Sequence, residues 1–384
     1  MVIRNAAAST CRSDRVIGLA HWTSWFIHPR HQHMKTPNRL MILLAFVTLP
    51  ALAITQPQKK NVAQVIQVGP QHKIKTIAAA SVLAMPGTTI NVDSGDYIAD
   101  VAIWQHDNVT VRAVGGRVRL LAQGVAAEGK AIWVVRAKGM RVEGFDFEGA
   151  AVPSRNGAGI RLESGSLWVR NCRFLHNEMG LLTNNDPDTI LEIENSEFAQ
   201  NQRPDGHNHN LYAGQIARLS VTDSYFHHAH VGHLLKSRAA VSHIVNNRLT
   251  DKIDSTASYE LEFPNGGMAY VVGNTIAQST HTENPILISF GAEGYKWPRN
   301  EIYLANNTLV NPLPRGGLYL RVAPGADAIH AANNRLVGQG TLESAGPGEY
   351  KNNVSIDPLD YARELSNPKH NSGVMQRSEQ PSNY

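Results

Sequence analysis

A short unit of the form apolar-x-(Asn/Asp/Gly)-x-x-apolar recurs along this 384-residue chain, and its spacing leaves few folds open. It reads VEGFDF, VRNCRF, IENSEF, VTDSYF, IVNNRL, VVGNTI, LANNTL and AANNRL, beginning at Val142, Val169, Ile193, Val221, Ile244, Val271, Leu304 and Ala331. The steps are 27, 24, 28, 23, 27, 33 and 27 residues, inside the range of about 20–50 that marks stacked architectures. A leucine-rich repeat would show dense Leu spacing and a helical stretch in every unit, and a propeller needs about 40–50 residues per blade. Coils made of strands alone, joined by loops of variable length, fit the pattern.

In such a coil each inward side chain stacks on its counterpart one turn away, at about 4.8 Å. The apolar ends of the units supply that core. Between them lie two polar columns. Asn171, Asn195, Asp223, Asn246, Asn306 and Asn333, with Gly144 and Gly273 in register, sit where the chain turns; Asn and Gly tolerate left-handed backbone angles there. Cys172, Ser196, Ser224, Asn247, Asn274, Asn307 and Asn334 form the second column. Both columns read as scaffold, and Cys172 as a small stacked residue rather than a nucleophile.

Ahead of the repeats, Ile77, Ala80 and Ala84 fit one face of a short helix stopped by Pro86-Gly87. A strand follows at Thr88–Val92, then a turn at Asp93-Ser94-Gly95-Asp96. A solenoid's first coil would expose its apolar interior, so a cap is required. This opening resembles that of right-handed parallel β-helix proteins of the pectin-lyase-like superfamily. The expected fold is therefore all-β: a single-stranded right-handed parallel β-helix over 73–356 with a short N-terminal capping helix, then a polar tail over 357–384 that closes the last coil and frays.

The amino terminus reads as a targeting segment. Residues 40–53, LMILLAFVTLPALA, follow Lys35 and Arg39 and end in Ala51-Leu52-Ala53: a charged region, an apolar region and a cleavage-like site, too short for a membrane span. Met34 stands where such a peptide would begin, so 34–55 is expected to be a signal peptide and 1–33 an extension from an early start codon. Residues 1–55 hold six Lys/Arg and one acid, Asp14; without them the net charge moves from +4 to about −1. A nucleic-acid partner loses its electrostatic basis. Cys172 is then the one remaining cysteine, and no internal disulfide can form. The mature protein is expected to be secreted or periplasmic, monomeric and without a transmembrane segment.

Three consecutive coils break the bland pattern: DGHNHNLYAG (205–214), HHAHVGHLLKSRA (227–239) and ASYELEFPNGG (257–267). Period-two alternation with Leu235 inward turns Lys236 and Arg238 outward. The same rule places Glu260 and Glu262 on that face, and aligning HNLYAG with HLLKSR sets Tyr212 beside Lys236, so His209, Tyr212, Lys236, Arg238, Tyr259, Glu260 and Glu262 form one expected polar patch. The charges alone could be a solvated ladder of opposite signs. Six histidines crowd the first two coils (His207, His209, His227, His228, His230, His233), open to roles as metal ligands, bases or backbone partners.

The stretch HLLKSRAAVSHIVNNRLTD, followed by VVGNTI, resembles the polysaccharide lyase family of chondroitinase B and alginate lyases around Lys236-Ser237. The resemblance implies a Lys base at Lys236, an Arg one coil later assisting the leaving group, and an upstream acid helping to hold Ca²⁺. Here Val231 takes the place of the acid, and Tyr259-Glu260-Leu261-Glu262 occupies the coil expected to present the Arg. Ca²⁺ is the cofactor that the resemblance allows; none other is indicated.

Elimination on an acidic polysaccharide needs a base for the proton α to a uronate carboxylate, a cation to neutralise that carboxylate, and an acid for the leaving oxygen. Arg238 suits the second task; Lys236, His209 or His233 the first; Tyr212 or Tyr259 the third. An inverting glycoside hydrolase would instead use Glu260 and Glu262. A groove that only binds glycan or a cell-envelope partner is the third reading.

Overall fold

The structure, a computed structural model, describes residues 64–367 apart from 204, 283, 343 and 344. The expectations for 1–33, for 34–55 and for the tail beyond 367 lie outside the described residues.

Every strand pairing between coils is parallel, as a solenoid requires. A typical coil runs through three strands, for example His209–Ala213, Arg218–Thr222 and Tyr225–His227. The first of these belongs to a nine-stranded sheet that runs from Ala102–Trp104 to Leu318–Val322. The other two faces are joined into one continuous sheet, because Thr89–Ile98 and Thr110–Leu121 run unbroken through their shared corner.

The register agrees with the sequence repeat residue for residue: Val142, Val169, Ile193, Val221, Ile244, Val271, Leu304 and Ala331 each pair with the next. The far ends of the units stack as well. Phe147, Phe174, Phe198 and Phe226 lie nearly parallel, with centroids 5.0, 4.6 and 4.7 Å apart, and Leu249, Ile276, Leu309 and Leu336 continue the column. Burying each such side chain contributes about 1.5–3 kcal/mol before chain entropy is set against it.

The turn column adopts the expected left-handed angles, with φ near +50° at Asn171, Asn195, Asp223, Asn246, Asn306 and Asn333. The second column is a hydrogen-bonded ladder. Asn247 Nδ2 donates to Asn274 Oδ1 (3.1 Å), Asn274 to Asn307 (3.0 Å) and Asn307 to Asn334 (3.0 Å), while each also reaches a backbone carbonyl. Buried polar groups are costly unless paired, and here each pairs along the stack. Cys172 is buried at the head of this ladder, and burial pushes its thiol up to about 12. That agrees with an inert packing role.

A helix at Ile77–Leu83 covers the first coil, burying Ile77 and Ala80. Thr76 caps it, and Asp100 accepts from the Ile77 and Ala78 N–H groups at 2.6 and 2.8 Å. Three details differ from the sequence reading. The first strand is Val65–Val68, ahead of residue 73, and pairs with Thr89–Val92 across the helix. Asp93–Asp96 is no turn but a register shift within a continuous strand, because the neighbouring strand takes up the irregularity. After Asp357 the chain forms a helix, Pro358–Ser366, with its N-terminus capped by Asp357 and tied to the coil by the Arg335–Glu364 ion pair. It buries no residue, and Leu359 and Leu365 remain exposed.

Candidate functional site

The nine-stranded sheet carries an outward ladder running Arg161, Leu182, Tyr212, Lys236, Glu262, Ser289 and Arg321, one residue per coil. Leu211, Leu235 and Leu261 occupy the interior beside it, all fully buried. The face expected for Tyr212, Lys236 and Glu262 is therefore the observed one, and Tyr212 pairs with Lys236 as the alignment of HNLYAG with HLLKSR required.

Arg238 lies just beyond the strand His233–Ser237 and is held from three directions. Its Nε donates to the Tyr212 hydroxyl (2.9 Å), its Nη1 to Asn265 Oδ1 (2.7 Å), and its fork grips Glu293, with Nη2–Oε1 at 2.9 Å and Nη1–Oε2 at 2.7 Å. Lys236 Nζ reaches the same Glu293 Oε1 at 3.1 Å and Glu262 Oε2 at 2.8 Å. Two cations thus converge on one carboxylate. Arg238, then Lys236, hold the Glu293 carboxyl down at about 2 although its partial burial opposes this. Burial works against the Arg238 cation, but Glu293 and Tyr212 outweigh it and raise its pKa.

Beside this clamp His233 Nδ1 stands 3.1 Å from Glu262 Oε2. Burial opposes charge on Glu262, yet His233 and Lys236 together hold its carboxyl below the usual range. Burial lowers the His233 pKa by more than Glu262 raises it. His233 Nδ1 and Glu262 Oε2 are close without the alignment of a hydrogen bond; a proton held on Nδ1 toward the carboxylate leaves Nε2 as a proton acceptor. His209 is oriented the other way. Its Nδ1 accepts the His233 backbone N–H at 3.3 Å, so the neutral ring carries its proton on Nε2. Burial, followed by the neighbouring cationic groups, holds His209 well below the ordinary histidine value. The rings of His209 and His233 lie 4.7 Å apart, and Tyr259 meets His233 edge-on at 5.0 Å.

Glu260 is a correction. It was expected on the outward face with Glu262, but it lies in the interior, fully buried, with neither carboxylate oxygen hydrogen-bonded. Strict alternation fails at the start of this strand: Leu234 and Leu235 are both buried, and Glu260 and Leu261 occupy the matching positions one coil on. Burial, reinforced by the nearby buried Asp251, raises the Glu260 carboxyl well above its ordinary value. Glu260 and Glu262 therefore do not face one groove, and the carboxylate pair on which the hydrolase reading depended is absent. Ser237 is also interior and bonds the Ser242 hydroxyl at 2.8 Å.

The histidines divide between faces. His207, His209 and His233 belong to the nine-stranded sheet and its preceding loops, whereas His227 pairs with Glu197 (3.1 Å) on another face and His228 with Asp254 (3.3 Å). Among the described residues no three His, Cys, Asp or Glu side chains gather as metal ligands. Ca²⁺ takes about 6–8 oxygen ligands. In the patch both outward carboxylates are already committed to Lys236, Arg238 and His233, a donor set that does not fit a resident Ca²⁺.

Sequence reading missed Glu293, Asn265 and Trp297. All three hold Arg238, with Trp297 Nε1 donating to its backbone carbonyl at 3.1 Å and Asn265 Nδ2 bonding the Gly294 carbonyl at 3.1 Å. Glu293 and Trp297 lie on the loop that makes the Val271–Leu304 step 33 residues long, the largest in the series, and that length was the available signal. Gly291 opens the loop at φ +79°, where any Cβ would also meet the Tyr295 hydroxyl at 2.5 Å.

No family model matches the chain, and no curated protein matches it. Among solved structures, pectate lyase Pel9A aligns with a TM-score of 0.53 at 14% identity, over 76% of this chain and 79% of that one. A pectin methylesterase from Aspergillus niger aligns over 76% and 90% at 13% identity with a TM-score of 0.41. Among the described residues no helix is long and apolar enough to cross a membrane. The stacked parallel coils and the match to Pel9A together give this chain the pectin-lyase-like right-handed β-helix fold.

Proposed function

We propose that this protein is a polysaccharide lyase that cleaves an acidic polysaccharide by β-elimination on the outward face of the nine-stranded sheet. The observation that carries the reading is the convergence of Lys236 and Arg238 on the Glu293 carboxylate, next to the His233–Glu262 pair. A uronate carboxylate offers the same fork to the same two cations. With that carboxylate neutralised, the proton on its α carbon becomes acidic enough for removal.

In this reading His233 Nε2 takes the α proton, and the freed electron pair forms a double bond to the β carbon. The bond from the β carbon to the glycosidic oxygen breaks, and that oxygen receives the proton of Tyr212. The Tyr212 hydroxyl oxygen already accepts from Arg238 Nε, so its own proton is free to donate outward. Glu262 positions His233 and bears its positive charge once it is protonated. The products are an unsaturated uronate end and a new reducing end. Lys236, the base implied by the lyase resemblance, acts here as a neutralising cation, its Nζ set between the Glu262 and Glu293 carboxylates. The pectate lyase Pel9A shares the fold. Export to the periplasm or outside the cell belongs to the same proposal.

The test is incubation of the protein with alginate, pectate and glycosaminoglycan panels, following the ultraviolet absorbance of unsaturated uronates. Rising absorbance on one of them is expected. New reducing ends without that absorbance would mean hydrolysis, and binding with neither signal would mean a glycan-binding module; both results contradict the reading.

A further inference from the structure

Two coils before Tyr212, the same outward ladder presents Arg161. Its Nε and Nη2 both donate to one neutral acceptor, Asn184 Oδ1, at 3.0 and 2.7 Å. Among the described residues no carboxylate forms an ion pair with it, and burial pulls its guanidinium below the usual value. The surrounding cations differ. Arg136 and Lys130 share Glu128 and Glu163, and Arg203 and Arg155 share Asp205. Glu163 is close enough to act on Arg161 electrostatically, but its oxygens are taken by Lys130 and Arg136.

Arg161 opens onto a cleft of about 350 Å³ walled by Asn156, Asn185, Arg203, His207 and Tyr212. The lining is rich in donors and holds no Asp or Glu. A half-buried guanidinium with three remaining N–H donors in a donor-lined cleft is built for an oxyanion. Arg161 is three coil steps from Lys236, about 14 Å along the axis at the spacing of parallel strands. Leu182 and Tyr212 lie between them and give an apolar and aromatic floor.

We infer that Arg161 is the anion-binding group of a second subsite, which takes the carboxylate or sulfate of another acidic sugar on the same polysaccharide chain. The inference rests on the outward face being the polysaccharide groove. It goes further in requiring a substrate with acidic sugars several residues apart, engaged internally rather than only at an end.

The experiment is calorimetric titration of the full chain, in a His233→Ala background that keeps ligand intact, with hexamers of galacturonate, mannuronate and chondroitin sulfate and with the matching dimers. Arg161→Ala is expected to weaken binding of at least one hexamer about tenfold, and Arg161→Lys less. A dimer too short to span both sites should bind the two proteins alike when it occupies the Lys236 site. Equal hexamer affinity in a folded Arg161→Ala protein overturns the inference, as does the absence of hexamer binding. The two proposals separate. Arg161-dependent binding, with no unsaturated product from the protein that retains His233, keeps the subsite and removes the elimination. Product formation with unchanged hexamer affinity in Arg161→Ala does the reverse. Which hexamer responds tells a carboxylate site from a sulfate site.

Discussion

Arg238 grips the Glu293 carboxylate with both arms of its guanidinium, at 2.9 and 2.7 Å, in the geometry that a bound uronate carboxylate would adopt. Glu293 is on a loop and is 45% exposed at its side chain, so a substrate can displace it. Replacing it removes an internal competitor without removing a cation. Glu293→Gln is expected to lower KM for the acidic substrate about threefold to fivefold, the scale of an exposed ion pair of up to about 1 kcal/mol. Steady-state kinetics check this, and an increased KM would mean that Glu293 belongs to substrate binding.

Removing the other side of that pair should act on kcat. Arg238→Ala takes away the fork and frees Tyr212 from its donor, so a loss of about 10²–10³-fold in kcat is expected, comparable with losing one oxyanion donor. Arg238→Lys should recover only part of it, because an ammonium cannot reproduce the bidentate contact. Full activity in the Lys variant would show that the fork is unimportant.

The base is identified by pH. Burial lowers the His233 pKa, so His233 is neutral and able to accept a proton at pH values above a point lying below the ordinary 6.5. Activity should rise with pH through that point and level off. His233→Ala should abolish this limb and lower kcat by about 10²–10⁴-fold. Measuring kcat/KM against pH for both proteins checks this; a limb that persists in His233→Ala would assign the base to another group.

Glu260 makes a stability prediction. Its carboxyl has a folded pKa raised well above the ordinary 4.5, so between those values the folded state binds more protons than the unfolded chain. Stability contributed by this group is intact below about 4.5 and is lost as pH rises through the folded value. Glu260→Leu removes a buried carboxyl without partners, beside Leu234 of the preceding coil. It is expected to stabilise the protein by about 1–3 kcal/mol near neutral pH, with the gain shrinking on acidification. Denaturant melts at several pH values read both.

The fold was legible because a solenoid repeats its constraints. Once Val142 and Val169 are aligned, the same register recurs down to Ala331, and each turn needs Asn, Asp or Gly for its positive φ. The site was legible in part. Leu235 inward fixed Lys236 and Tyr212 outward, because the pleat is regular in that stretch. Alternation failed at Glu260, where two consecutive residues turn inward at the strand's start. The Glu293 loop could not be placed from period-two reasoning at all, since it folds back from a later coil onto Arg238 by tertiary contacts alone.

In the proposed reaction the clamp and the His233–Glu262 pair perform elimination on an acidic polysaccharide. The most direct measurement is the ultraviolet absorbance of unsaturated uronates during digestion of pectate, alginate and glycosaminoglycan, by the unaltered protein and by His233→Ala. Product is expected on at least one polymer, with its near-complete loss in the variant. No unsaturated product on any of them, or undiminished product from His233→Ala, would contradict it.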